Sequence, residues 1–122
     1  MNKISNKEKG MKAEQLAASF LANKGYRIVA KNYRFSRMGE IDLICLKRNI
    51  VIVVEVKFRS TFMTGRPEDA MTLKKCGQLR KLANIFVHRE GYQKYRVRFD
   101  VITIVAQDFN KECEIIHYRQ AF

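Results

Sequence analysis

The sequence predicts an α/β fold, a mixed central sheet flanked by helices, and three observations predict it. Apolar residues recur at helical spacing in two segments, near 7–23 and 72–89. Around them lie apolar runs of strand length, rich in Ile and Val. The resulting order of helix, three strands, helix and two strands interleaves the two element types. The 122 residues, 47% of them apolar, suit a single domain over 1–122 with an ordinary core.

Each element has its own signal. In the first helix Ala13, Leu16, Ala17, Phe20 and Leu21 form one stripe, with Asn6 as the expected N-cap and Lys24-Gly25 as the stop. Residues 26–34 alternate apolar Tyr26, Ile28 and Ala30 with Arg27 and Lys31, as a strand does, and 35–39 read as a loop. Residues 41–47 and 50–58 are apolar on both faces, which predicts central strands covered on each side. Arg48-Asn49 is the polar break between them and fits a two-residue hairpin turn. A polar loop containing Gly65 follows, and Pro67 suits the first turn of a short helical segment at 68–71. Thr72 is placed to cap a helix to about Arg89, with Leu73, Leu79, Leu82, Ala83, Phe86 and Val87 inward and Gly91 as its end. Strands are expected at 95–106 and 113–118.

Charge narrows the partners. Lys and Arg total 24 against 12 Asp and Glu, a net of +12 spread along the whole chain. Such a field attracts polyanions, and nucleic acid is the commonest of them. An anionic membrane surface or an acidic protein also fits. The first twelve residues are polar and basic, and the longest apolar run is 50–54, so neither an export signal nor a membrane span is expected. The expected location is the cytoplasm. Cys45, Cys76 and Cys113 are odd in number and far apart, which predicts reduced thiols rather than disulfides or zinc ligands. His88 and His117 are isolated from other ligand types.

One residue stands against its surroundings. Glu55 lies inside Ile50-Val51-Ile52-Val53-Val54-Glu55-Val56, and burying a carboxylate is costly unless it is paired or bound to a cation. A turn centred between Arg48 and Asn49 pairs residues whose numbers sum to 97, so Asp42 falls opposite Glu55. Opposed residues have Cβ atoms roughly 4.5–5.5 Å apart, where like charges repel. A dication between them reverses that sign, and Mg²⁺ is commonly held by one or two carboxylates plus waters and substrate phosphates. Lys57, two residues on, projects from the same strand face and falls opposite Glu40. The structural alternatives are a local Glu-x-Lys ion pair, and an Asp42 that satisfies a backbone group.

At these residues the chain resembles the PD-(D/E)xK nuclease superfamily, and more closely the YraN family of predicted endonuclease-like proteins. The similarity rests on Gly10-x-x-Ala13-Glu14 with Ala17 and Phe20-Leu21, Gly25-Tyr26, Asn32-x-Arg34 and Gly39-Glu40-Ile41-Asp42-Leu43-Ile44. It continues through Val54-Glu55-Val56-Lys57-x-Arg59, Gly65-x-Pro67-x-x-Ala70 with Lys74, and Arg98-Phe99-Asp100-Val101. Where this chain has Ala13, the family pattern often has glycine. The resemblance implies a restriction-endonuclease-like core, similar to that of Holliday-junction resolvases. It also implies that Asp42 and Glu55 bind Mg²⁺ or Mn²⁺, that Lys57 assists catalysis, and that Glu14 points toward the same site. Arg34, Arg59 and Lys74 are the candidate nucleic-acid contacts. Asp100 beside Arg98 reads as structural. Tyr26, Tyr33 and Phe35 lie among cations, as base-stacking aromatics do, but core packing also explains them.

Three functions compete. The first is a metal-dependent endonuclease acting on DNA more readily than RNA, with branched or single-stranded DNA among its substrates. The second is a basic binding module that keeps the fold without turnover. The third is an assembly factor that meets an acidic protein or an RNA particle. Junction-cutting relatives pair up, which leaves a homodimer open, although no dimer surface is legible in the sequence.

Overall fold

In the computed structural model, which describes residues 5–59, 71–107 and 112–122, the chain runs α1 (Asn6–Asn23), β1 (Arg27–Arg34), β2 (Glu40–Lys47), β3 (Ile50–Arg59), α2 (Leu73–Glu90), β4 (Arg96–Val105) and β5 (Glu114–Tyr118). The expected element order holds among the described residues. The expected turn at Pro67 and the loop around Gly65 lie outside them. The sheet order is β1-β2-β3-β4-β5; β3 and β4 are parallel and the other neighbours antiparallel. A parallel pair needs a crossover along the length of the sheet, and α2 lies on that connection.

The two helices cover opposite faces. Ala13, Ala17, Ala18 and Leu21 of α1 pack on Leu43, Cys45, Ile52, Val54, Ile102 and Ile104. Leu79, Leu82, Ala83 and Phe86 of α2 pack on Ile41, Ile44, Leu46, Val51 and Val53. Strands β2 and β3 are therefore apolar on both sides because both sides are covered. Each fully buried Ile or Leu of this core contributes about 1.5–3 kcal/mol. Among the described residues no helix is long and apolar enough to cross a membrane.

The ends of the elements follow local chemistry, with two corrections. Ser5, not Asn6, caps α1: its Oγ accepts the Glu8 N–H at 3.1 Å. Thr72 caps α2 by accepting the Lys75 N–H at 3.1 Å, and Gly91 ends that helix at φ 79°, a conformation glycine adopts without a Cβ clash. Leu73 does not face inward. It is 93% exposed, one turn ahead of Cys76, the first buried residue of α2. Tyr26 is buried, and Tyr33 packs edge-on against Phe86, so two of the three aromatics considered for stacking serve the core. Cys45, Cys76 and Cys113 are not joined in disulfides.

Candidate active site at the end of strands β2 and β3

The β2–β3 register is the one the turn dictates: Lys47 pairs with Ile50 and Leu43 with Val54, each summing to 97. The ladder stops there, one residue short of Asp42 and Glu55. A local irregularity explains why. Asn32 of β1 adopts φ 50°, which asparagine tolerates better than most residues. Residues two apart on a strand normally share a face. Yet Ile41 packs under α2 and Leu43 under α1, so the pleat breaks at Asp42, between the paired positions Tyr33↔Ile41 and Lys31↔Leu43.

That break sets the carboxylate's surroundings. Asp42 Oδ2 accepts the Val56 N–H at 2.8 Å, so Asp42 satisfies a backbone group, as its structural reading anticipated. Glu55 lines a cavity with it, near enough for the Glu55 charge to act on Asp42. Burial, then the Glu55 charge, push the Asp42 carboxyl up to about 7, against the Val56 N–H and the Lys75 ammonium, which pull it down. Glu55 is 5% exposed on a strand face that otherwise carries Val51 and Val53. Its Oε2 is shielded from solvent and makes no hydrogen bond, while Lys75 Nζ stands 3.3 Å away as an ion-pair partner. Lys75 therefore supplies charge to Glu55 without an aligned N–H.

A cavity of about 260 Å³ opens here between the Met38-Gly39 loop, the ends of β2 and β3, and the first turns of α2. Asp42, Glu55, Glu40, Lys75 and Gln78 line it together with Leu79 and Leu82. Glu14 approaches from α1. Asn32 Nδ2 donates to its Oε1 at 3.1 Å, and burial, with the charges of Asp42 and Glu40, raises its carboxyl above the ordinary range despite that bond. Four of the chain's 12 acids thus gather in a protein of net charge +12.

The other candidates are placed differently. Lys57 is half-buried, sits opposite Thr103 of β4, and has no ion-pair partner among the described residues; it does not line the cavity. The expected Glu40–Lys57 pairing is absent: Arg34 Nη2 holds Glu40 Oε2 at 2.8 Å on the rim, where such a pair is worth about 0–1 kcal/mol. Arg59 ends β3, and Lys74 is exposed in the first turn of α2. Lys75 and Gln78 were missed. A signal existed: Lys75 precedes Leu79 by four and Leu82 by seven, which places its ammonium on the inward stripe of α2.

The donor set fits a hard dication. Among the described residues no three His, Cys, Asp or Glu cluster as metal ligands, so the chain offers two carboxylates and leaves the remaining positions to waters and phosphate, a pattern common for Mg²⁺. A shielded Glu55 oxygen without a hydrogen bond, beside a carboxyl already pressed toward protonation, is what a cation would relieve.

A second buried carboxylate lies elsewhere on the sheet. Asp100 of β4 is fully buried and takes Arg98 Nε and Nη2 at 2.9 and 2.8 Å, the Gln120 N–H at 3.0 Å, and His117 Nε2 at 2.7 Å. A carboxylate only accepts, so His117 Nε2 carries the proton. Burial alone would raise the Asp100 carboxyl, but the bonds from His117, Arg98 and Gln120 outweigh it and hold it below its ordinary value. Asp100 is structural, as expected.

Comparison with known proteins agrees on one grouping. The model of the family described as "Uncharacterised protein family UPF0102" matches residues 13–104. A UPF0102 protein of Natranaerobius thermophilus is 53% identical over 120 residues, covering 98% of this chain and 100% of that protein. Those of Alkaliphilus oremlandii and Syntrophomonas wolfei are 40% and 38% identical, each covering 96% of this chain and 99% of the relative. The chain belongs to the UPF0102 family, the family to which the YraN resemblance pointed.

Proposed function

We propose that this protein is a metal-dependent endonuclease that hydrolyses phosphodiester bonds of nucleic acid, with Asp42 and Glu55 as its metal ligands. The observation that carries the reading is that Asp42 and Glu55 line one cavity at the broken end of the β2–β3 ladder, with a shielded Glu55 oxygen that has no hydrogen bond. The core would be of the restriction-endonuclease-like kind that the resemblance implies. Mg²⁺ or Mn²⁺ bound there would supply Lewis acidity at the scissile phosphate. Asp42 and Glu55 hold the charge in place, Asp42 being anchored by the Val56 N–H. Lys75, 3.3 Å from the Glu55 carboxylate, stands where it would hold a phosphate oxygen beside a bound metal. Lys57, without an ion-pair partner among the described residues, is available to the same substrate. Glu14 borders the site through Asn32. Arg34, Arg59 and Lys74 supply backbone contacts that steer DNA, branched or single-stranded, toward the cavity. A homodimer would suit a branched substrate.

One observation favours the second reading, a binding module without turnover. Lys75 already compensates Glu55 without any metal. The two readings part in a cleavage assay on junction, flap, single-stranded and duplex DNA with Mg²⁺ or Mn²⁺. The nuclease reading expects cleavage of at least one substrate and its loss in both Asp42→Ala and Glu55→Ala. Binding that is indifferent to metal, with no cleavage, supports the module; cleavage that survives both substitutions removes these acids from the chemistry.

A further inference from the structure

Of the three aromatics that the sequence sets among cations, Phe35 alone joins neither apolar core. It keeps 36% of its surface in solvent, directly after the end of β1. Scattered exposed apolar side chains are ordinary on a protein surface. Three features set this one apart: its fixed position, its distance from the acid cavity and its charge surroundings.

The ring is held. Two residues before it, Tyr33 packs edge-on against Phe86 of α2, 5.2 Å between centroids. Three residues further along α2, the Arg89 guanidinium stands over the Phe35 ring, 5.2 Å from its centroid. One turn of α2 thus supports both aromatics. The turn after Phe35 is closed as well: the Met38 N–H donates to the Phe35 carbonyl at 3.3 Å. Between them Ser36 takes φ 56°, a left-handed conformation that a residue with a Cβ adopts only at a cost. The ring is therefore positioned before any ligand arrives, which lowers the ordering cost of binding.

The same loop walls the acid cavity. Met38 and Gly39 line it from the loop, and Gln78, Leu79 and Leu82 line it from α2. Leu82 and Arg89 are seven residues apart, about 10 Å along the helix axis. That is about three nucleotides of a stacked strand at roughly 3.4 Å each. Arg37 and Arg89 are exposed, and neither is paired with a carboxylate among the described residues. Glu40, the acid at the far end of the loop, is taken by Arg34.

We propose that Phe35 and Arg89 form a shelf for one unpaired nucleotide, so that the site takes single-stranded nucleic acid in preference to intact duplex. The base stacks on the exposed part of the ring, and its phosphate meets the Arg89 N–H groups. In a duplex the neighbouring bases already cover the base faces, so an aromatic shelf detects whether a strand is unpaired and is tolerant of its sequence. The ligand class rests on the nucleic-acid reading above.

The test uses the whole chain carrying Asp42→Asn, without metal, so that no strand is cut. Anisotropy of a labelled DNA oligonucleotide, single-stranded or annealed to its complement, reads binding. The single strand should bind more tightly. Phe35→Leu keeps an apolar side chain and loses the π face; it should weaken single-strand binding about tenfold and leave duplex binding unchanged. Arg89→Gln should weaken it too, with a salt dependence shallower by about one. The chain has no tryptophan, so Phe35→Trp adds a single indole, which should retain binding and be quenched as the strand saturates. Equal binding of the two forms, single-strand binding unchanged in Phe35→Leu, or an indole signal that the strand does not move overturns the proposal. The nuclease reading fails separately. Single-strand binding that depends on Phe35, without cleavage by the metal-loaded wild type, supports the shelf and removes the nuclease; cleavage whose preference for single strands Phe35→Leu leaves intact overturns the shelf and keeps the nuclease.

Discussion

Asp100 and Asp42 are both carboxylates set into the same sheet, and their circumstances are opposite. Asp100 receives two guanidinium bonds, an imidazole N–H and a backbone N–H, and its carboxyl is held below the ordinary range. Asp42 receives one backbone N–H, faces a second acid, and is pushed up to about 7. Burial alone does not separate a structural acid from a functional one. What separates them is whether the chain itself supplies the compensating charge. Around Asp100 it supplies all of it; around Asp42 and Glu55 it supplies part, through Lys75, and leaves a Glu55 oxygen without a hydrogen bond.

The largest effect is expected at the satisfied acid. Asp100→Ala strips the partners from Arg98 and His117 and should cost about 3–5 kcal/mol in a denaturant melt, as the breaking of buried pairs does. A loss below about 1 kcal/mol would mean that the four bonds to Asp100 are not holding β4 to the chain end. At the unsatisfied acid the sign reverses. Asp42→Asn keeps an acceptor for the Val56 N–H, removes the repulsion and can donate to Glu55, so the metal-free protein should gain about 1 kcal/mol at pH 8. Asp42→Ala orphans that N–H and should gain less or lose. Equal destabilisation by both would show Asp42 to be a plain backbone cap.

The pH dependence sharpens the contrast. A carboxyl raised in the folded state binds its proton more tightly there, so its contribution is present below the unfolded value, near 3.9, and is lost as pH climbs toward about 7. The metal-free wild type should therefore lose stability between about pH 4 and pH 7 relative to Asp42→Asn, read from paired denaturant melts. Asp100 behaves in the opposite sense. Its stabilisation is complete above the ordinary carboxylate value and is lost as pH falls through its own lowered one. Parallel pH profiles for wild type and Asp42→Asn would count against the repulsion.

Much of this was legible in the sequence because it is local. Helical and strand periodicity gave the seven elements, and a two-residue turn at Arg48-Asn49 was enough to set the 97 register that brings Asp42 toward Glu55. What escaped depends on segments that meet only after folding. Lys75 reaches Glu55 across the whole β3–α2 connection. The partners of Asp100 include His117 and Gln120, up to twenty residues on. The broken pleat at Asp42 follows from Asn32 on the neighbouring strand at φ 50°, which no reading of 40–47 alone reveals. Leu73 extends the apolar period and so reads as inward, but it belongs to the first turn, ahead of the buried stripe.

The central claim is that Asp42 and Glu55 share a dication. Thermal melts of the metal-stripped protein against increasing Mn²⁺ test it most directly, run beside Asp42→Asn and Glu55→Gln. Binding to the folded state alone stabilises by about 2.7 kcal/mol at a hundred times the dissociation constant. The wild type should show a saturable rise in Tm that both variants lack. No rise in the wild type, or the same rise in the variants, would contradict the account.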